Sequence, residues 1–156
     1  MKKNLITICL SICLFQINAQ NSFSKTWSSI QESNIQKSGQ RQIIPQKYLT
    51  FRLNVSSLKS TLALAPNETT TPIHKSACEI LLPAPNGQLQ KYKVVEAPIM
   101  HPDLAAQFPD IKTYSIKGVD DIYANGKIDV TEFGFHAMVL SVNGDFFIDP
   151  YCLQNT

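Results

Sequence analysis

The chain has 156 residues, enough for one folded domain and little more. Hydrophobic residues make up 44% of it and charged residues 17%, which indicates a packed core rather than disorder. The formal net charge is +2 and falls to about zero without Lys2 and Lys3, so no basic face for nucleic acid is expected.

The first 19 residues predict a Sec-type signal peptide. Lys2 and Lys3 form a basic start, residues 5–15 are uncharged and apolar, and residues 16–19 are a plausible cleavage region. The apolar run is too short to cross a bilayer, which takes about 20 residues. We therefore expect cleavage after Ala19, a secreted or periplasmic product, and no membrane contact afterwards.

Residues 20–42 are rich in Ser, Gln and Asn and are expected to form a flexible N-terminal arm, with Trp27 and Ile30 as the main large apolar residues. Order is expected to begin near Ile43. Residues 48–55 alternate apolar and polar side chains, which predicts a half-buried strand. Ser56 or Ser57 is then expected to cap a short helix that Pro66 ends.

The remaining chain predicts strands separated by turns. Three Asn-Gly pairs, at 86–87, 125–126 and 143–144, are typical of tight hairpins. Pro102 suits the first residue of a second helix, which is expected to continue to Phe108. The predicted strands are 78–82, 89–96, 111–117, 127–133, 135–142 and 146–148. These elements predict an α+β domain: a mainly antiparallel sheet built from Asn-Gly hairpins, with two short helices.

The hairpin closed by Asn143-Gly144 has the largest apolar content of the chain. Its arms, residues 135–142 and 146–148, are apolar enough to be central strands, and Leu140 is expected in the core. His136 shares a strand face with Met138 and Leu140, so it is interpreted as a packed core histidine rather than a ligand.

No catalytic, cofactor-binding or metal site is predicted. His74, His101 and His136 are widely separated, and no H-E-x-x-H pattern occurs, so three imidazoles are not expected to converge on zinc. Asp120 and Asp121, with Asn125 and Asp129 downstream, lack the spacing of a calcium loop and are interpreted as a solvated acidic turn.

One long stretch resembles a known protein family. The segments that carry the resemblance are residues 83–96, Ala97-Pro98-Ile99-Met100, and residues 102–114, 118–121 and 133–151. They resemble the N-terminal, propeptide-like domain of secreted reprolysin-type zinc metalloproteases from Bacteroidota-like bacteria. The resemblance covers residues 43–151 and departs from the family pattern at residues 122–127. It implies a folding aid and latency element, and no catalytic or zinc-binding residue of the family has a counterpart here.

Cysteine chemistry leaves two further hypotheses. Some metalloprotease propeptides hold the enzyme latent with a cysteine thiolate on the catalytic zinc, and Cys78 is the candidate for that inhibitory thiol. Its position at the start of an apolar strand, however, favours a buried inert thiol. Cys78 and Cys152 could instead form one disulfide, although Cys152 lies beyond the last predicted strand.

The sequence therefore predicts a non-catalytic propeptide-like domain at residues 43–151, followed by a tail at 152–156. Only five residues follow Tyr151, so the expectation is a domain truncated before its protease or a free-standing relative. Its expected partner is a reprolysin-type catalytic domain in trans, bound through a sheet edge or the helix from Pro102 to Phe108. The alternative is a stand-alone secreted or periplasmic module that binds a protein or a glycan.

Overall fold

The fold is described by a computed structural model that covers residues 26–37, 39–41 and 43–152. The predicted signal peptide, with its cleavage site after Ala19, and residues 153–156 of the predicted tail lie outside the described residues.

Eight strands and two α-helices form the described part of the domain. A two-stranded antiparallel sheet joins β1 (Trp27–Ser29) to β2 (Phe51–Leu53), and α1 (Val55–Leu62) follows. A second sheet has six strands in sequence order, each antiparallel to its neighbour, and α2 (Pro102–Gln107) lies between the second and third of them. Those six strands are β3 (Glu79–Pro83), β4 (Leu89–Glu96), β5 (Lys112–Gly118), β6 (Asn125–Thr131), β7 (Gly134–Leu140) and β8 (Phe146–Ile148). The predicted α+β class, with a mainly antiparallel sheet, is confirmed.

Alternate side chains of the six-stranded sheet face the core, as period-2 strand geometry requires. We call this side the core face and the opposite side the outer face. Leu58 and Leu62 of α1 belong to the same buried cluster as the core face. The buried core-face residues are Ile80, Leu82, Tyr92, Val94, Tyr114, Ile116, Ile128, Val130, Phe135, Ala137 and Val139.

The expectation of a flexible arm at residues 20–42 was wrong for residues 27–34, which include β1 and the 3-10 turn Glu32–Asn34. Trp27 is only 7% exposed, and it pairs with Leu53 in the β1–β2 sheet. Its indole Nε1 donates a hydrogen bond of 2.8 Å to the carbonyl oxygen of Leu81, and its ring packs edge-on against Phe135 at 5.7 Å. A three-residue strand is too short to show periodicity, so the polar composition around Trp27 concealed its burial.

Trp27 also covers the free edge of β3. The Leu81 carbonyl that it caps lies on this edge strand, away from β4, and Pro83 has no backbone N–H to leave unpaired. One edge of the large sheet is therefore protected by a side chain and a proline.

Helix α1 begins earlier than predicted. Asn54, rather than Ser56 or Ser57, is its N-cap, because the Asn54 side-chain oxygen accepts a 3.0 Å hydrogen bond from the backbone N–H of Ser57. The preceding strand is also shorter than predicted, since only Phe51–Leu53 of residues 48–55 is paired. For α2, the prediction that Pro102 is the first helical residue is confirmed.

Two of the three Asn-Gly predictions are confirmed. Gly87 and Gly144 have φ values of +82° and +112°, and each lies in a turn that joins consecutive strands. The third was wrong, because Asn125 and Gly126 lie inside β6, and the turn occupies residues 119–124. A Cβ on Gly126 would lie 2.2 Å from the carbonyl oxygen of Met138, so this glycine permits close strand approach rather than a turn.

Two core-face tyrosines should ionise at unusually high pH. Burial raises the pKa of Tyr92 and of Tyr114 to about 12, and the carboxylates of Asp121 and Asp120 add to the effect at Tyr92. Because the pKa of each tyrosine in the folded protein lies above the ordinary value of 10.0, the neutral phenol favours the folded state. The stability that the two buried phenols contribute is therefore complete below pH 10 and is lost as the pH rises through 12.

We expect an absorbance titration of the folded protein to show two tyrosines that ionise near pH 12, with Tyr92→Phe removing one of them. The free energy of unfolding should fall over the same pH range. Ionisation of every tyrosine near pH 10 in the still-folded protein would contradict this placement of the two side chains.

Candidate functional site on the outer face of the sheet

The hairpin β7–β8 is arranged differently from the sequence-based expectation. β7 lies between β6 and β8 and is a central strand, as predicted. β8 is an edge strand and Leu140 is 40% exposed, so the predictions of a second central strand and of Leu140 in the core were wrong. Only alternate residues of β7, among them Ala137 and Val139, face the core. The hairpin carries apolar residues on both faces, and this continuous apolar run concealed which half is buried.

The apolar residues on the outer face of this hairpin form a compact exposed surface. Met138 is 39% exposed and lies directly opposite Phe147, which is 65% exposed, while Leu140 lies two residues along the same face of β7. We call Met138, Leu140 and Phe147 the apolar patch. Within the described residues no strand pairs with the other side of β8, so the patch adjoins an open sheet edge. Apolar surface beside an unpaired edge is typical of a protein-binding site.

Lys127 borders the apolar patch on the outer face, because it lies opposite Met138 in the register of β6 and β7. Lys93 and Lys117 lie opposite one another two strand pairs further away, in β4 and β5. The Lys127 ammonium donates a 2.7 Å hydrogen bond to the hydroxyl of Ser115. Like charges directly opposite one another disfavour sheet pairing, and the Lys93 ammonium turns to the carbonyl oxygen of His74, to which it donates a 2.8 Å hydrogen bond. A partner that presents apolar and acidic groups would complement the apolar patch and Lys127.

His136 is not the packed core residue that was predicted. It lies on the outer face, and its Nδ1 lies 2.9 Å from a carboxylate oxygen of Asp149. Asp129 faces it across the sheet, and the pKa of that carboxyl is raised mainly by burial, lowered by His136 and raised again by Asp149. The pair with Asp149 fastens the chain after β8 to β7.

The position of Cys78 disfavours the role of inhibitory thiol suggested by some propeptides. It is 6% exposed, and its thiol donates to the carbonyl oxygen of Thr61 at 3.4 Å. Burial, and then the charge of Glu79, raises the pKa of this thiol, so the zinc-binding thiolate is disfavoured. Cys152 is also buried, and both thiols are free, so the possible disulfide between them is not formed.

The other candidate residues are not brought together. His74 lies in the 3-10 turn Ile73–Lys75, and His101 is the N-cap of α2. In residues 26–37, 39–41 and 43–152, no group of three or more His, Cys, Asp or Glu side chains could hold a metal ion.

The acidic turn is a structural feature rather than a freely solvated one. A carboxylate oxygen of Asp120 accepts a 2.8 Å hydrogen bond from the backbone N–H of Lys91. Asp121 accepts hydrogen bonds from the Ser141 hydroxyl at 2.6 Å and from the Asn143 side-chain amide at 3.1 Å. These bonds, led by that from Ser141, hold the pKa of Asp121 below its ordinary value. The turn thereby ties β5–β6 to the β7–β8 hairpin.

A cleft of about 610 Å³ is a second surface feature, and sequence reasoning missed it. It lies between the β1–β2 ribbon and the chain that leaves β8, and its wall includes both apolar and polar groups. The cleft depends on the docking of the N-terminal segment, which no sequence pattern indicated. Prominent lining residues are Trp27, Phe51, Leu53, Phe135, Ile148 and Tyr151.

Comparison of the chain with protein-family models, with curated proteins and with solved structures gives no match. Within the described part of the chain, no helix has the length and apolar character needed to cross a bilayer.

Proposed function

We propose that this chain is a secreted, non-catalytic, propeptide-like domain that binds the catalytic domain of a reprolysin-type zinc metalloprotease and keeps it latent or assists its folding. The observation that carries the proposal is the apolar patch of Met138, Leu140 and Phe147 on the edge hairpin. This hairpin lies within residues 133–151, one of the segments with the strongest resemblance to the family.

The patch supports docking rather than chemistry as the mode of latency. Because Cys78 is buried and its thiol is neutral, the domain would act by covering part of the protease and not by ligating its zinc. An extended segment of the protease could pair with β8 while its apolar side chains contact Phe147 and Met138, which is the usual mode of strand addition. The neighbouring Lys127 would favour an acidic residue on that segment.

Helix α2 is the other surface that could take part in binding. None of its residues is buried, and Leu104 and Phe108 are 45% and 49% exposed. α2 lies in the connection between β4 and β5, so its residues are different from those of the β7–β8 hairpin and can be substituted separately. Variants of the two surfaces therefore distinguish between them.

The test is a titration of residues 20–156 against a mature reprolysin-type protease, with peptide cleavage and direct binding both measured. We expect inhibition that saturates below about 100 µM, because a separated domain lacks the high local concentration that covalent linkage supplies. Phe147→Asp should weaken binding by about tenfold or more, since it places a charge in the apolar contact. The domain alone should show no casein cleavage that a metal chelator abolishes.

Leu64→Asp is the matched control, because Leu64 is 77% exposed and lies outside the apolar patch. It should bind as the wild-type domain does, and circular dichroism should show that both variants stay folded. If Leu104→Asp weakens binding and Phe147→Asp does not, then α2 rather than the sheet edge is the contact. Neither binding nor inhibition at about 100 µM would contradict the proposed function.

A stand-alone module that binds a protein or a glycan is the second candidate, and the cleft of about 610 Å³ favours it. A cleft of this size suits a few side chains or one sugar unit. Two results would support this function instead: the chain binds a peptide or an oligosaccharide and loses this binding when cleft residues are substituted, and the chain neither binds nor inhibits any reprolysin-type protease.

A further inference from the structure

Four side chains from three distant parts of the sequence meet at the surface beside the cleft. The guanidinium of Arg41 lies over the ring of Tyr48 at 4.4 Å and over the ring of Tyr151 at 4.5 Å. The Glu32 carboxylate accepts hydrogen bonds from the hydroxyls of both tyrosines and from the Arg41 guanidinium, the last at 3.1 Å. Two aromatic rings and a carboxylate thus surround one cation, which is the usual composition of a site for a cationic side chain.

The charges in this cluster suit a guanidinium group in particular. Hydrogen bonds from Tyr151 and then Tyr48 hold the pKa of Glu32 below its ordinary value, so the carboxylate is ionised at neutral pH. A planar guanidinium can stack on a ring and donate to a carboxylate at the same time, whereas a lysine ammonium has no plane to stack.

Two walls of the site, Glu32 and Tyr151, lie outside the stretch of chain that carries the arginine. Glu32 lies in the 3-10 turn Glu32–Asn34, and Tyr151 follows β8, beside Asp149 and its bond to His136. Arg41 and the third wall, Tyr48, belong to a stretch in which the described residues from 35 to 50 form no helix or strand. Ile43 and Ile44 in this stretch are 67% and 75% exposed, so its apolar side chains do little to anchor it. Local movement within such a stretch lets the Arg41 side chain leave the site at a small cost in free energy.

The site also opens onto a larger surface. Tyr151 stacks on the Arg41 guanidinium and lines the cleft of about 610 Å³ as well, together with Phe51 and Ile148. A polypeptide that placed an arginine between the two rings would therefore have space beside it for a neighbouring apolar side chain.

We propose that Tyr48, Tyr151 and Glu32 form a guanidinium-binding site that Arg41 fills in the free domain, and that an arginine side chain of a bound polypeptide takes its place. Arg41 then acts as an internal competitor, which is tethered at a high local concentration. A ligand binds only the fraction of molecules from which Arg41 has moved, so its apparent affinity is reduced by that fraction. The site does not depend on the proposed protease partner.

The test uses N-acetyl-arginine amide as the probe, with NMR chemical shifts of the chain's tyrosine and arginine side chains as the readout. Arg41→Ala removes the competitor, and it should bind the probe about tenfold more tightly than the wild-type chain does. N-acetyl-lysine amide should bind either chain more weakly. In the wild-type chain, saturation with the arginine probe should also shift the signal of the Arg41 side chain as it is displaced.

Arg52→Ala is the matched control, because Arg52 lines the same cleft but belongs to β2, and it should bind the probe as the wild-type chain does. Adding Glu32→Gln to Arg41→Ala should abolish the gain in affinity. Arg41→Gln provides a second open site if Arg41→Ala proves poorly folded. Equal affinity of the wild-type chain and both Arg41 variants, or no binding to any of them at about 50 mM probe, would overturn the proposal.

Discussion

Replacement of Trp27 with Ala should lower the free energy of unfolding by about 3–5 kcal/mol, the largest effect that we expect from a single substitution. The change removes a buried indole, its edge-on contact with Phe135 and its hydrogen bond to Leu81. The carbonyl of Leu81 would also lose its partner on the free edge of β3. Chemical denaturation of the wild-type and variant proteins measures the difference directly.

The control for this prediction is Trp27→Phe, which keeps a buried aromatic ring but removes the indole N–H and part of the ring volume. Both variants lose the hydrogen bond of about 1 kcal/mol to Leu81, so Trp27→Phe should cost less than Trp27→Ala because it retains more buried apolar surface. If Trp27→Ala changes stability by less than about 0.5 kcal/mol, the N-terminal segment is not part of the core and the original expectation of a flexible arm is restored.

Leucine substitutions on the two faces of the sheet should have very different effects. Leu82 is fully buried, so Leu82→Ala should destabilise the domain by about 2–5 kcal/mol through lost burial and a residual cavity. Leu140 is 40% exposed on the outer face, and Leu140→Ala should cost less than about 1 kcal/mol. Denaturant unfolding gives both values, provided that the free energy of unfolding depends on denaturant concentration with the same slope in each variant.

The two leucines serve as controls for each other, because the substitution is identical and both residues lie in strands of one sheet. A large loss for Leu140 with a small loss for Leu82 would mean that the core and outer faces had been exchanged, as a register slip of one residue would do. It would also remove Leu140 from the apolar patch and so weaken the case for a binding surface there.

Local chemistry explains what could be predicted from the sequence. Asn86-Gly87 and Asn143-Gly144 require positive φ at glycine, and Pro102 suits the first turn of a helix, so these positions were predictable one by one. Asn125-Gly126 shows the limit of the same reasoning. Glycine can permit either a turn or the close approach of two strands, and a single sequence does not tell these two roles apart.

Tertiary packing decided the features that could not be predicted. The side chains of Leu140 and Phe147 are as apolar as those beneath them, and only the position of β8 at the edge places them on the surface. Trp27 is buried by residues more than fifty positions away, and the arginine site joins Glu32 to Tyr151 across 119 positions. No local pattern records contacts over such separations, so both the cleft and its neighbouring cation site were outside the reach of sequence reasoning.

The unequal protection of the two sheet edges limits how copies of this domain can assemble. The β3 edge is partly blocked by Trp27 and by the missing N–H of Pro83, so in the described part of the chain β8 is the more open edge of the six-stranded sheet. Two copies that meet at β8 use the same surface on each subunit, and that pairing consumes both open edges. Pairing through the more open edge therefore favours a closed pair of copies over an indefinitely extended fibre.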